Sequence, residues 1–165
     1  MKAPLNLEIN KVKRKSMSHR FLIIASRFNT MITRRLLEAV EQTLAEAGVA
    51  KEQVDCLWVP GAFEVPGVAA RAARSRAYHA VICLGAVIRG DTPHFDYVAG
   101  ECARGVMDIT IETGVPVVFG VLTTNNLEQA MERAGQGGEN KGHEFAQAAL
   151  TMVKTMAALE EGIKR

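Results

Sequence analysis

The sequence lacks most of the features that would assign a chain to a class at once. It has no pair of cysteines at metal-ligand spacing: Cys56, Cys83 and Cys102 are odd in number and far apart, which argues against a zinc site or a disulfide framework and fits a reducing cytosol, hence a cytoplasmic protein. It has no strong charge excess, since 20 Lys and Arg face 18 Asp and Glu for a formal net charge of +2. A protein held mainly by nucleic-acid phosphates carries a larger basic surplus, so no nucleic-acid partner is expected, although a local anion site is not excluded. It also has no long apolar run. The longest, Ala80 to Ile88, is about half of what a bilayer span requires, and no membrane association is expected. The apolar run after the basic stretch Lys11 to Arg20, Phe21 to Ala25, is too short for a signal peptide. Finally, the chain contains no Gly-x-Gly-x-x-Gly fingerprint, no Walker phosphate loop, no Gly-x-Ser-x-Gly elbow and no His-Glu-x-x-His helix.

What is present is one domain's worth of core: 165 residues, 48% of them hydrophobic. Residues 1–18 are polar and basic and read as an N-terminal arm, with the domain occupying 19–165. Within it, Phe21 to Ser26, Val54 to Val59, Ala80 to Val87 and Val117 to Leu122 are near-continuous apolar segments rich in Val, Ile and Leu. Such runs mark strands buried on both faces of a parallel sheet.

Helical patterns separate these segments. Ile32, Leu36, Val40, Leu44 and Ala47 recur at helical spacing and stop at Gly48, a residue suited to a C-terminal cap. A second helix is predicted over Glu64 to Arg76, with Pro66 in its first turn, and a third from about His94 to Glu112, ending at Gly114. Asn125 with Glu128 at capping-box spacing predicts a short fourth. The last is predicted to bury Phe145, Ala149, Met152, Met156 and Leu159 as one stripe. The order predicts an α/β domain with right-handed crossovers and helices on both faces of a four-stranded parallel sheet.

In that architecture ligands bind beyond the carboxyl ends of the strands, and the unusual residues fall there. Arg27-Phe28-Asn29 follows the first strand, Pro60-Gly61-Ala62-Phe63-Glu64 the second, Arg89-Gly90-Asp91-Thr92-Pro93-His94 the third and Thr123-Thr124-Asn125-Asn126 the fourth. The amides of Asp91 and Thr92, just ahead of a helix, suit an anion; the plain alternative is a solvated turn with Thr92 as N-cap. In the first helical turn the dipole favours a neutral His94 able to accept a proton. Arg133 carries a fork that fits phosphate, though arginine at a helix C-terminus also simply complements the dipole. Phe28, flanked by Arg27 and Asn29, suits stacking on a planar ring or a place in the core, and Glu64 can equally be a helix-start carboxylate.

Taken together and in order, Arg27-Phe28-Asn29, Pro60 to Pro66, Gly85 to Gly90, His94 to Val98, Phe119 to Thr124, Glu132 to Gly135 and Asn140-Lys141-Gly142 resemble the lumazine synthase family, over Phe21 to about Leu159. The resemblance implies a flavodoxin-like three-layer αβα sandwich that assembles as pentamers with active sites shared between subunits. It implies that Phe28, with Asn29 beside it, stacks on a pyrimidine, and that Ala62, Phe63 and Glu64 hold a ribityl chain. Ala86, Val87 and Ile88 would frame the ring together with Phe119 of a neighbouring subunit. The Asp91 and Thr92 amides with Arg133 would hold the phosphate of a butanone substrate, Lys141 would assist near it, and His94 would transfer protons.

The implied reaction joins a ribitylaminopyrimidine to a four-carbon ketone phosphate and calls for no metal and no organic cofactor. The implied partners are small-molecule substrates, copies of the same chain and riboflavin synthase. Two features depart from the family pattern. Asp91 stands where relatives often carry a small residue, and a carboxylate near a phosphate is unfavourable unless it points away; the arm before Phe21 matches no family feature.

The rival readings are a flavin- or lumazine-binding module and a shell protein with a decayed pocket. The compact connection Ala134 to Asn140, and the alternation of Leu5, Leu7 and Ile9 with polar residues, are compatible with a shell of twelve pentamers. The like charges of Lys11 to Arg20 oppose it in a salt-dependent way.

Overall fold

The computed structural model describes residues 19–135 and 139–164. The arm at 1–18 with its alternating segment, and Gln136, Gly137 and Gly138 of the glycine-rich connection, lie outside the described residues.

Among the described residues four strands and five α-helices follow in the order β1 (Phe21–Ser26), α1 (Thr30–Glu46), β2 (Val54–Val59), α2 (Val65–Arg74), β3 (Ala80–Ile88), α3 (His94–Thr113), β4 (Val117–Thr124), α4 (Leu127–Arg133) and α5 (Lys141–Ile163). The strands are parallel in the order β2-β1-β3-β4, with Phe21 aligned on Val54 and Ala80, and Val81 on Val117. Alternation of side chains sends Phe21, Ile23, Ile82 and Leu84 to a core shared with α1, α4 and α5. Leu22, Ile24, Val81 and Cys83 go to a second core shared with α2 and α3. The three-layer αβα sandwich is therefore the flavodoxin-like arrangement expected, and central β1 is buried along its whole length, as its unbroken apolar run requires.

Local chemistry fixes where the elements end. Gly48 takes a left-handed backbone (φ +89°), and its amide donates to Ala45 O while Val49 N donates to Leu44 O, closing α1 with paired bonds to its last carbonyls. The second helix begins one residue later than its sequence predicts, because Ala62–Glu64 forms a 3₁₀ turn ahead of it, with Pro66 in the first turn as required. It stops at Arg74, two residues short, and Arg76 is left-handed (φ +57°).

Three readings are corrected, the first of them the plain alternative for the β3–α3 loop. Thr92 does not cap α3: Pro93 occupies the N-cap position and no side chain caps that end. The cap of α4 is Asn126 rather than Asn125, its side chain accepting from Gln129 N, while Gln129 Oε1 accepts from Asn125 N. A variant of that reciprocal chemistry operates one residue downstream, with Gln129 accepting from the amide of Asn125, the residue before the cap, rather than from the cap's own amide.

The third correction concerns α5, which buries Gly142, Ala146, Ala149, Leu150 and Val153. Of the expected stripe only Ala149 is buried; Phe145 and Met156 are half-buried, and Met152 and Leu159 are exposed. A β-carbon at 142 would sit 2.4 Å from Leu36 O and 2.8 Å from Ala39 Cβ. Close approach of α5 to α1 thus requires glycine at 142, and the buried face runs on through Ala146, Ala149, Leu150 and Val153 rather than through Met152 and Leu159.

Among the described residues no helix is long and apolar enough to cross a membrane.

Candidate active site

The strand order reverses direction between β1 and β3, and the crevice beyond their carboxyl ends is where this architecture receives ligands. A cavity of about 550 Å³ opens there, within the size range of small-molecule sites, about 300–1,000 Å³.

Its first wall comes from β1 and β2. After Ser26 the two strands stay paired through Arg27 N to Val59 O (2.8 Å) and Phe28 N to Pro60 O (3.0 Å), so Phe28 is held by its backbone while its ring stays 73% exposed over the cavity. The Arg27 and Arg34 guanidiniums lie 5.7 and 5.4 Å from the Trp58 ring centre and brace the outer side of this loop. Asn29 is left-handed (φ +58°), and its Nδ2 donates to Ala86 O at 2.8 Å. That bond ties the β1 loop to β3, and Asn29 does not line the cavity.

Ala62, Phe63 and Glu64 line it from the 3₁₀ turn, with Gly61 beneath. A β-carbon at 61 would meet Glu64 Oε2 at 3.2 Å, so the glycine leaves room for the carboxylate.

The other wall belongs to β3 and α3. Ala86, Val87 and Ile88 form the floor, while Gly90, Thr92, His94, Phe95, Tyr97 and Val98 rise beside it. His94 is the first residue of α3; its ring, the Thr92 hydroxyl and the Glu64 carboxylate are all solvent-facing. Asp91 is exposed and does not line the cavity, consistent with a carboxylate that stays clear of an anion.

The structure therefore gathers Phe28, Ala62, Phe63, Glu64, Ala86, Val87, Ile88, Thr92 and His94 from the sequence-based set. It leaves five others outside the cavity. Besides Asn29 and Asp91, Phe119 is half-buried on edge strand β4 against the α2/α3 core. Arg133, at the end of α4, donates Nη1 to Gln129 O at 3.1 Å and stands 4.0 Å from the Glu132 carboxylate. Lys141 is paired with both oxygens of Glu144 at 2.8 and 2.9 Å.

Sequence reasoning missed Gly61, Gly90, Phe95, Tyr97 and Val98 as lining residues. The readable signal was the helical spacing of His94, Tyr97 and Val98 in a first turn already marked by its loop. Among the described residues no group of three or more His, Cys, Asp or Glu side chains is gathered as a metal site.

Chemically, the cavity offers aromatic faces for a planar ring, one carboxylate that can accept hydroxyl hydrogens, and one imidazole at a helix N-terminus beside a glycine-containing loop suited to an anion. Comparison with known proteins agrees with this chemistry. Residues 18–157 match the family model described as 6,7-dimethyl-8-ribityllumazine synthase. A 6,7-dimethyl-8-ribityllumazine synthase of Thermosynechococcus vestitus is 51% identical over 148 residues, covering 87% of this chain and 83% of the relative. One of Clostridium kluyveri is 49% identical over 141 residues, covering 86% of this chain and 92% of the relative. With the family model spanning most of the chain and half of the aligned residues shared with such relatives, this protein belongs to the 6,7-dimethyl-8-ribityllumazine synthase family.

Proposed function

We propose that the chain condenses 5-amino-6-(D-ribitylamino)uracil with 3,4-dihydroxy-2-butanone 4-phosphate to 6,7-dimethyl-8-ribityllumazine, releasing phosphate and water, as a cytoplasmic transferase of riboflavin biosynthesis. The observation that carries this reading is the convergence of Phe28, Glu64 and His94 on one cavity from three different strand ends. Phe28 stacks on the pyrimidine, Glu64 accepts hydrogens from the ribityl hydroxyls, and the backbone of Ala86 to Ile88 frames the ring.

The pyrimidine amine attacks the ketone carbon and loss of water leaves an imine. Elimination of phosphate, tautomerisation and attack of the ribityl-bearing nitrogen, with ring closure and a second loss of water, complete the lumazine. His94 moves protons in these steps, a contribution of about 10²–10⁴ in rate. Holding the two substrates in reacting geometry contributes more, up to about 7–11 kcal/mol.

Phe119, Arg133 and Lys141 lie outside the cavity of their own chain, and a homopentamer in which a neighbouring subunit supplies them completes the site. Arg133 then grips the phosphate with the amides of Asp91 and Thr92, and Lys141 adds charge nearby. Phe119 fits this role because it sits on an edge strand and is only half-buried. We extend the assembly to a shell of twelve pentamers, with riboflavin synthase, which takes up the product, as a candidate guest.

Purified protein mixed with both substrates is expected to develop lumazine absorbance and to release one phosphate per lumazine. Binding of lumazine or flavin without turnover would instead support a binding module on the same fold. Light scattering at near-physiological salt that finds no species above a single pentamer or a pair of pentamers would remove the shell.

A further inference from the structure

The connection from β3 to α3, Arg89 to Pro93, brings Gly90 and Thr92 to the cavity wall and delivers His94 as the first helical residue. Two of its features work against a fixed shape. Position 90 is a glycine, and α3 begins without a side-chain cap.

Arg89 spans the whole connection. Its backbone amide donates to Thr124 O at 2.8 Å, extending the β3–β4 ladder past the strand ends. Its Nη2 and Nη1 donate to Asp96 Oδ1 and Oδ2 at 3.1 and 3.4 Å, and its Nε donates to Asn125 Oδ1 at 3.3 Å. The guanidinium carbon lies 4.2 Å from the centre of the Phe95 ring, and Phe95 lines the cavity. One planar group therefore joins both ends of the connection to each other and to the β4–α4 loop. Asp96, in the first turn of α3, also complements the positive end of the helix that the missing cap leaves open.

The side chains of Arg89 and Asp96 are 43% and 59% exposed, so their pairing adds little to folding stability. Its consequence is local geometry. Arg89 does not line the cavity and so acts through the residues that do.

We infer that Arg89 and Asp96 form a latch that holds Gly90 to His94 in the shape that receives the phosphate of the second substrate, making Arg89 a positioning residue. This rests on the reaction proposed above. Lysine cannot replace the latch, because an ammonium has neither the planar fork for Asp96 and Asn125 nor the flat face for Phe95.

The test is two-substrate kinetics on assembled wild type, Arg89→Met, Arg89→Lys, Asp96→Asn and the double variant Arg89→Met/Asp96→Asn. Arg89→Met is expected to lower kcat/KM for the butanone phosphate about 10- to 100-fold, the scale of a misplacement near 1 Å. The KM for the pyrimidine should stay within about twofold, and Tm within about 4 °C. Arg89→Lys should behave almost as Arg89→Met, and the double variant should be no worse than Arg89→Met, since one latch can be broken only once.

Multiplicative losses in the double variant, or a fall in kcat with both KM values unchanged, would overturn the latch. Inorganic phosphate, followed by its stabilisation of the protein against heat, gives a readout independent of turnover. About tenfold more phosphate should be needed for the same stabilisation of Arg89→Met. A wild type that makes no lumazine yet shows this phosphate difference would refute the proposed reaction and leave the latch standing. Phosphate titrations that superimpose for wild type and Arg89→Met would refute the latch.

Discussion

At the N-terminal ends of the strands most polar groups are used on one another, His19 Nδ1 being a buried exception without a hydrogen-bond partner among the described residues; in the cavity at the C-terminal ends Glu64, Thr92 and His94 are left open. In the first region Arg20 Nη2 and the Tyr78 hydroxyl both donate to Asp55 Oδ2, at 2.7 and 2.9 Å, and the Arg20 guanidinium lies 5.1 Å from the Tyr78 ring centre. Arg20 N donates to His79 Nδ1 at 3.0 Å, and the His19 and His79 rings meet edge to face at 4.9 Å. In the second region the side chains of Glu64, Thr92 and His94 face solvent, and Phe28 and Tyr97 expose 73% and 69% of their surface. A set of groups that closes on itself offers nothing to a ligand, and with the Arg20 and Asp55 side chains 47% and 43% exposed its contribution to the fold is small. An open set on loops, anchored by backbone bonds such as Phe28 N to Pro60 O, is what a ligand can complete. Substitutions at the open end should therefore change kinetics and leave stability nearly untouched, and perturbations at the closed end should do the reverse.

The largest effect should come from His94→Ala. It is expected to lower kcat about 100-fold, the low end of what general acid–base groups contribute, because positioning survives and solvent replaces part of the proton transfer. Both KM values should hold within about threefold, and the thermal midpoint should not move. Steady-state kinetics that show an unchanged kcat would remove the chemical role of His94 and, with it, the clearest difference between the two ends.

Arg133→Ala comes next. Loss of a charged hydrogen bond to phosphate costs about 1.5–3 kcal/mol, so the KM for the butanone phosphate should rise tenfold or more while pyrimidine binding is kept. Titrations that weaken equally for both substrates would place Arg133 elsewhere.

Much of this contrast is legible in the sequence alone. The central strands could be read because burial on both faces demands unbroken apolar runs, and the loops because the chemistry-bearing residues follow those runs directly. The packing of α5 was not legible. Periodicity weights large apolar side chains such as Met152 and Leu159, whereas the contact with α1 requires glycine at 142 and the buried face runs on through Ala146, Ala149, Leu150 and Val153. The cap of α4 was misplaced by one residue because Asn125 and Asn126 carry the same side chain and Gln129 serves either. Phe95 and Tyr97 stand in the His94 to Val98 motif, but which of its side chains line the cavity depends on how α3 is turned against β3. The residues alone do not tell that Arg133 and Lys141 stand away from their own chain's cavity, which is a fact of tertiary geometry, whereas for Phe119 the family resemblance implies it.

Phe28→Ala should have a similar or somewhat smaller effect than Arg133→Ala, and on the opposite substrate. Stacking of an aromatic side chain on a base is worth about 1–3 kcal/mol, and because the Phe28 ring is so exposed, little core packing is lost with it. The pyrimidine KM should rise at least fivefold, with the butanone phosphate KM and Tm unchanged. A marked drop in Tm would mean that Phe28 supports the fold, and the two ends would no longer differ there.

The smallest effect belongs to the closed end and is read as stability against pH. Burial, and then the neighbouring His79, hold the His19 imidazole below its ordinary value of 6.5. The sign follows from linkage. Above about pH 6.5 the ring is neutral in both folded and unfolded chains and its environment costs nothing. As pH falls below that value, the unfolded chain takes up a proton that the folded one resists, and stability is lost. Arg76, Tyr78 and Glu160 line the same depression as His19 and His79. Tm should therefore decline by a few degrees between about pH 7 and pH 5.5, and His19→Asn should flatten that decline while leaving both KM values at pH 7 unchanged. A decline of equal depth in His19→Asn would place the acid-sensitive group elsewhere, and a shift in KM would mean that the two ends are coupled rather than separate.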